Sequence, residues 1–96
     1  MYKIKILILA QQDVQEIIDY YDSINPEITD RFLRKLFLDI STIKRNPKIF
    51  AKKYKEIRMC YLQKFPFNIY FKINDNNVEI IAVLHTSRNP DIWKKR

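Results

Sequence analysis

Tyr2, Ile4, Ile6 and Ile8 alternate with Lys3, Lys5, Leu7 and Leu9, a period of two that predicts a half-buried strand from Tyr2 to Leu9. The period then changes. Ala10, Val14, Ile17, Ile18 and Tyr21 fall on one face of a helix, while Asp13, Glu16, Asp19 and Asp22 fall on the other, so the outer face reads as acidic and solvated. Asn25-Pro26 marks a second helical start: Asn is a favoured N-cap, and Pro suits a first position whose N–H has no partner anyway. From there Ile28, Phe32, Leu33, Leu36, Phe37, Ile40 and Ile43 make a broad apolar stripe, and Asn46-Pro47 ends it near Arg45 because the residue before proline avoids the helical region. Two helices with so short a loop form an antiparallel hairpin.

Three strands are expected next. Tyr54 to Leu62 places Ile57, Met59 and Tyr61 on one side, and Phe67 to Ile73 alternates Phe67, Ile69, Phe71 and Ile73 with Asn68, Tyr70 and Lys72. Asn74 to Asn77 is a hairpin turn of residues that tolerate left-handed backbone. Val78 to His85 is apolar at nearly every position, the signature of a central strand buried on both faces. A single helical turn is expected after Pro90. The order is β-α-α-β-β-β, an α+β fold in which an antiparallel sheet is covered by an N-terminal helical hairpin. At 96 residues a single domain, 1–96, is expected.

Composition narrows the chemistry. Glycine is absent, which excludes a Gly-rich phosphate loop and leaves turns to Asn, Asp and Pro. The net charge of +7 is unevenly spread: residues 1–43 carry five Lys/Arg against seven Asp/Glu, and residues 44–96 carry thirteen against four. Such asymmetry points to a polyanionic partner, nucleic acid or an acidic protein segment. Cys60 is the lone cysteine; it has no Cys or His at metal-ligand spacing and suits a reducing compartment. Lys3 and Lys5 interrupt the apolar N-terminal run, so neither a secretory signal nor a membrane span is expected, and a cytoplasmic protein is. One His and no Gly-flanked Ser give no nucleophile triad. No cofactor or metal is expected.

Five strings, taken in order, resemble a known family. They are Ala10-xx-Asp13-Val14-xx-Ile17-xx-Tyr20-Tyr21; Pro47 with Phe50; Ile57-Arg58; Phe65-Pro66-Phe67-x-Ile69-Tyr70-Phe71; and Ala82-Val83-Leu84-His85-xx-Arg88-x-Pro90-xx-Trp93-xx-Arg96. Together they resemble toxins of the RelE/ParE superfamily, closest to the ParE-like branch. The resemblance implies the toxin of a type II toxin–antitoxin system, a growth inhibitor of the kind that stabilises plasmids. It implies capture in a hetero-oligomer by a cognate antitoxin, whose acidic C-terminal segment would meet the basic second half of the chain. ParE-like members inhibit DNA gyrase without cutting anything; RelE-like members cut messenger RNA on the ribosome.

The RelE-like alternative needs a group to activate the ribose 2′-hydroxyl, cations for the developing charge and an acid for the leaving oxygen. Arg58, His85 and Arg88 are the candidates. Against that role, His85 fits a strand-end residue packing on Trp93 and bonding the turn, and Arg58 fits a brace through its planar fork of donors. The ribonuclease members carry a further helix or tyrosine beyond this point, which favours the ParE-like expectation. Candidate contacts with target or antitoxin are Lys52, Lys53, Arg58, Arg88, Trp93 and Arg96. Lys52, Lys53 and Arg58 belong to a basic run that starts at Lys44 and is opposed only by Glu56. Tyr20, Tyr21, Tyr61 and Tyr70 have spacings of core or core-edge residues rather than of a base-stacking surface. A double-stranded-RNA module, which begins and ends with a helix, fits the leading strand badly.

Overall fold

The computed structural model describes residues 2–88. Its elements are β1 (Lys3–Ile6), α1 (Ile8–Ile24), α2 (Pro26–Arg45), a 3-10 turn (Pro47–Ile49), β2 (Lys52–Tyr54), β3 (Ile57–Tyr61), β4 (Phe67–Asn74) and β5 (Asn77–His85). The strands form one sheet in the order β1-β5-β4-β3-β2. β1 runs parallel to β5, and every other pair is antiparallel. The expected β-α-α-β-β-β order is therefore present, with one short strand added and the sheet mixed at its β1 edge. Trp93, Arg96 and the turn expected after Pro90 lie outside the described residues.

Boundaries differ from the sequence pattern where two elements compete for one stretch. β1 ends at Ile6 because the Leu7 N–H makes the last bond to the sheet, 3.0 Å to the Ile80 carbonyl, while the Leu7 carbonyl accepts from the Gln11 N–H at 3.0 Å and opens α1. Ile8 and Leu9 thus enter the helix, both exposed. The strand expected over Tyr54 to Leu62 is divided by a turn at Lys55-Glu56 into β2 and β3. Without glycine, left-handed backbone falls on Lys55 (φ 49°), Lys64 (φ 74°) and Asp75 (φ 54°). Asp75 matches the expectation; the two lysines do not, and a residue with a Cβ in this region costs about 1 kcal/mol. The α2 start is as read: the Asn25 side chain accepts from the Glu27 N–H at 3.0 Å, and Pro26 opens the helix.

Both faces of the sheet are apolar. Ala10, Ile17, Phe32, Leu36 and Ile43 from the helices pack with Ile69, Phe71, Val78 and Ile80 of the strands. Each such burial contributes about 1.5–3 kcal/mol for the larger side chains. A second cluster, Tyr70, Ile81, Ala82 and Leu84, lies on the opposite face with Tyr54, Ile57 and Met59 against it. A bulge joins the two: Phe71 pairs with Ile80 and Tyr70 with Ala82, leaving Ile81 as the extra residue. Ile80 and Val83 consequently join the helical side while Ile81 and Ala82 join the other. This explains why β5 is apolar almost throughout.

β1 stops beside Ile80, so among the described residues no strand pairs with the rest of β5 on that side. A carboxylate substitutes: Asp13 Oδ2 accepts from the Val83 N–H at 3.0 Å. Asp13, expected on the solvated face of α1, is half-buried instead. Asp22, also expected there, accepts from the buried Thr29 hydroxyl at 2.6 Å and ties α1 to α2. Replacing Asp13→Ala should leave the Val83 N–H without its acceptor and destabilise the fold by about 1–3 kcal/mol. Asp13→Asn, which keeps an acceptor oxygen, should lose clearly less; equal losses in thermal unfolding would contradict this role.

Candidate functional site

The end of β5 opens into a groove of about 430 Å³ between α1 and the sheet. Ile17, Tyr20 and Tyr21 of α1 form one wall; Phe67, His85 and Arg88 contribute to the other. The His85 ring stands edge-on to Phe67, with centroids 5.5 Å apart. Its Nδ1 accepts from the Ser87 N–H at 3.0 Å and lies 2.7 Å from Ser87 Oγ. A backbone N–H can only donate, so Nδ1 is the unprotonated nitrogen and the neutral ring carries its proton on Nε2. In this arrangement His85 presents a donor, not the free lone pair that a general base needs. The Arg88 N–H closes the same turn on the His85 carbonyl at 2.9 Å. Burial pushes the Tyr21 hydroxyl above its ordinary ionisation range, with a smaller contribution from Tyr20, so it remains a neutral group.

Arg58 is elsewhere. It pairs with Phe71, whereas His85 pairs with Phe67 two strands over, a separation of roughly 16 Å from strand rise and spacing. Its Nη1 donates to the Phe50 carbonyl at 2.7 Å and the Lys48 carbonyl at 3.3 Å. The guanidinium thus pins the 3-10 turn to β3. The three nuclease candidates therefore fall in two places: His85 and Arg88 share the groove, and Arg58 braces a junction beyond their reach. The bonding of the turn anticipated for His85 is present through Ser87, while Trp93 is not among the described residues.

Lys52 and Lys53 lie exposed on β2, an edge of the sheet. Lys52 Nζ pairs with Glu56 at 3.0 Å, largely in solvent, and Lys55 Nζ sits 5.3 Å from the Tyr54 ring centre. Lysines on an edge also discourage strand-to-strand association. A smaller apolar crevice of about 150 Å³ separates the helices, lined by Ile6, Val14, Leu36, Phe37 and Ile40 among others. Phe37 beside it is 58% exposed, although the stripe on α2 placed it in the core. Counting charge by halves of the chain also missed Arg31, Arg34 and Lys35. Their recurrence every three or four residues along α2 was the available signal.

Among the described residues no group of His, Cys, Asp or Glu is arranged to hold a metal, and no helix is long and apolar enough to cross a membrane. Cys60 is buried under α2. Burial, helped by Asp39 and opposed by Lys35, pushes its thiol from 9.0 to about 11. The raised value means that the stability gained from the neutral thiol is full below pH 9 and is lost as pH rises toward 11. Iodoacetamide at pH 8 should therefore leave Cys60 unmodified in the native protein and label it readily in urea. Rapid native-state labelling would show an accessible thiolate.

A family model described as the ParE toxin of the type II toxin–antitoxin system, parDE, matches residues 4–90. The protein named Toxin ParE2 in Mycobacterium tuberculosis, strain CDC 1551 / Oshkosh, is 34% identical over 84 residues, covering 85% of this chain and 79% of that protein. Toxin ParE2 of strain ATCC 25618 / H37Rv matches to the same extent. Among solved structures, the chromosomal ParDE TA system from P. aeruginosa superposes with a TM-score of 0.77 at 19% identity, over 88% of this chain and 96% of that one; this likeness bears on the fold. The chain belongs to the ParE toxin family of type II toxin–antitoxin systems.

Proposed function

We propose that this toxin arrests growth by binding DNA gyrase in the cytoplasm, without catalysis of its own, and that a cognate antitoxin holds it inactive in a hetero-oligomer. The observation that carries this reading is the dispersal of the candidate catalytic groups. Arg58 is roughly 16 Å from His85 by strand geometry and is bonded to two backbone carbonyls. The one imidazole has its Nδ1 occupied by Ser87. This bracing of Arg58 and of His85 Nδ1 supports action through surfaces. Those surfaces are the groove beside His85 and Arg88, the lysines of β2 and the crevice beside Phe37, whose apolar lining suits an antitoxin helix laid along the hairpin. Trp93 and Arg96 remain proposed contacts, outside the described residues.

One observation favours the alternative, a ribosome-dependent endoribonuclease: His85 and Arg88 line the same groove, where Nε2–H and a guanidinium can both donate to an anionic oxygen. Inducible expression in bacteria separates the two readings. Gyrase poisoning predicts filamentation, a DNA-damage response and intact messages, with His85→Ala still toxic. Arrest with fragmented messages, relieved by His85→Ala, would establish the nuclease instead.

A further inference from the structure

Between Asp39 and Asp75 the chain holds one carboxylate, Glu56, against nine Lys/Arg. Five of those cations, Arg45, Lys48, Lys52, Lys53 and Lys55, are exposed on consecutive pieces of chain: the end of α2, the 3-10 turn, β2 and the turn after it. Glu56 is engaged by Lys52 at 3.0 Å. Among the described residues no ion pair reaches Arg45, Lys48, Lys53 or Lys55. Arg45 also complements the carbonyl end of α2, and lysines on an edge strand discourage association. Neither role accounts for Lys48 or Lys55.

The backbone beneath these cations is fixed. Arg58 Nη1 donates to the carbonyls of Lys48 and Phe50 at 3.3 and 2.7 Å, and Lys52 pairs with Arg58 across β2 and β3. The Phe50 ring stands edge-on to Phe71 of β4, with centroids 5.7 Å apart. Charges on so firm a base lose little order when a polyanion arrives. A second groove, of about 560 Å³ between α2 and the turn from β3 to β4, also gathers cations, Arg31, Arg34, Lys35 and Lys64, and no carboxylate lines it. There they flank the apolar Ile28, Leu38 and Phe65. Around the 3-10 turn and β2, in contrast, Ile49 is the one large apolar side chain exposed among the described residues.

We infer that this basic edge holds the phosphates of a DNA duplex, without reading its sequence. The 3-10 turn and β2 together give a contour of roughly 16 Å. A duplex carries one charge per about 1.7 Å of axis, so each of the five cations has its own phosphate to meet. Phosphate contact needs only charge and donors, which is what this edge offers. A protein segment would need apolar surface that the edge lacks beyond Ile49. Single strands would need bare rings to stack on. The Tyr54 ring has Lys55 Nζ 5.3 Å from its centre, and the Phe50 ring is turned into Phe71. The inference gives a partner chemistry to the β2 lysines, and it rests on the gyrase reading for its setting, an enzyme that already holds DNA.

The test titrates the full chain into a labelled duplex of about 20 base pairs, read by fluorescence anisotropy at salt from about 0.05 to about 0.2 M. The logarithm of affinity should fall against the logarithm of salt with a slope of about 4, as for four to five neutralised phosphates. Lys48→Ala with Lys53→Ala should reduce that slope by about 2. At about 0.1 M salt it should weaken binding about 50-fold, from about 0.9 per contact over one decade of salt. Arg31→Ala with Arg34→Ala removes the same charge roughly 16 Å or more along α2 from Arg45 and should change affinity less than about 3-fold. Both pairs are exposed, so Tm should hold in both variants. Gyrase is absent from this titration: failure here leaves gyrase inhibition standing, and failure to inhibit gyrase leaves DNA binding standing. Three outcomes overturn the inference: no binding at the lowest salt; a loss from the α2 pair as large as that from Lys48 and Lys53; or poly-glutamate or single-stranded RNA displacing the labelled duplex better than unlabelled duplex does at equal charge concentration.

Discussion

The rest of the molecule depends on one aromatic contact set, centred on Phe32. Its ring is wholly buried, edge-on to Phe65 and Phe67 at 5.7 Å each and tilted against Tyr21 at 5.8 Å. Tyr21 itself meets Phe65 and Phe67 edge-on, and Phe67 carries the His85 ring. Edge-to-face pairs of this kind contribute about 0.5–1.5 kcal/mol beyond the area they bury. Their greater consequence is positional. Five rings from α1, α2, the turn after β3 and the starts and ends of β4 and β5 are fixed against one another. The hairpin consequently cannot slide over the sheet. Both large grooves are built on this cluster, one through Tyr21, Phe67 and His85, the other through Phe65.

Because the grooves share a foundation, their difference lies in charge. Glu16 and Asp13 contribute to one, and Asp13 is committed to the Val83 N–H. The charged residues on the lining of the other are all cations. The basic run from Lys44 to Arg58 divides along the same line. Arg58 is spoken for by the carbonyls of Lys48 and Phe50, while Lys52 and Lys53 remain at the sheet edge.

Where a segment has one dominant periodicity, the chain was legible. α2 begins at the Asn25 cap and ends at Arg45, as its stripe and its two X-Pro steps indicate. β4 keeps its alternation, and β5 buries side chains on both faces of the sheet as its apolar run suggests. Legibility fails where a distant group decides. The boundary at Leu7 is set by the Ile80 carbonyl, seventy-odd positions away in the chain. Asp13 looks solvated until β5 is seen to lack a neighbour beyond β1. Lys64 shows no turn signal in its side chain, and its backbone is dictated by the β3–β4 connection. In the candidate site, His85 was recognisable as a strand-end residue bonded to its turn. The distance between Arg58 and His85, in contrast, depends on sheet order, which local patterns do not contain. The cationic groove is hidden for a simpler reason: its cations come from α2 and from the β3–β4 turn, which are far apart in the chain.

As proposed, this toxin arrests growth by binding gyrase and not by cutting RNA. The most direct test is a titration of the purified chain into a plasmid-supercoiling reaction catalysed by gyrase, with a ribosome-bound message incubated in parallel. Gyrase binding predicts that supercoiling stops, linear plasmid accumulates and the message stays whole. Undisturbed supercoiling together with a cleaved message would contradict it.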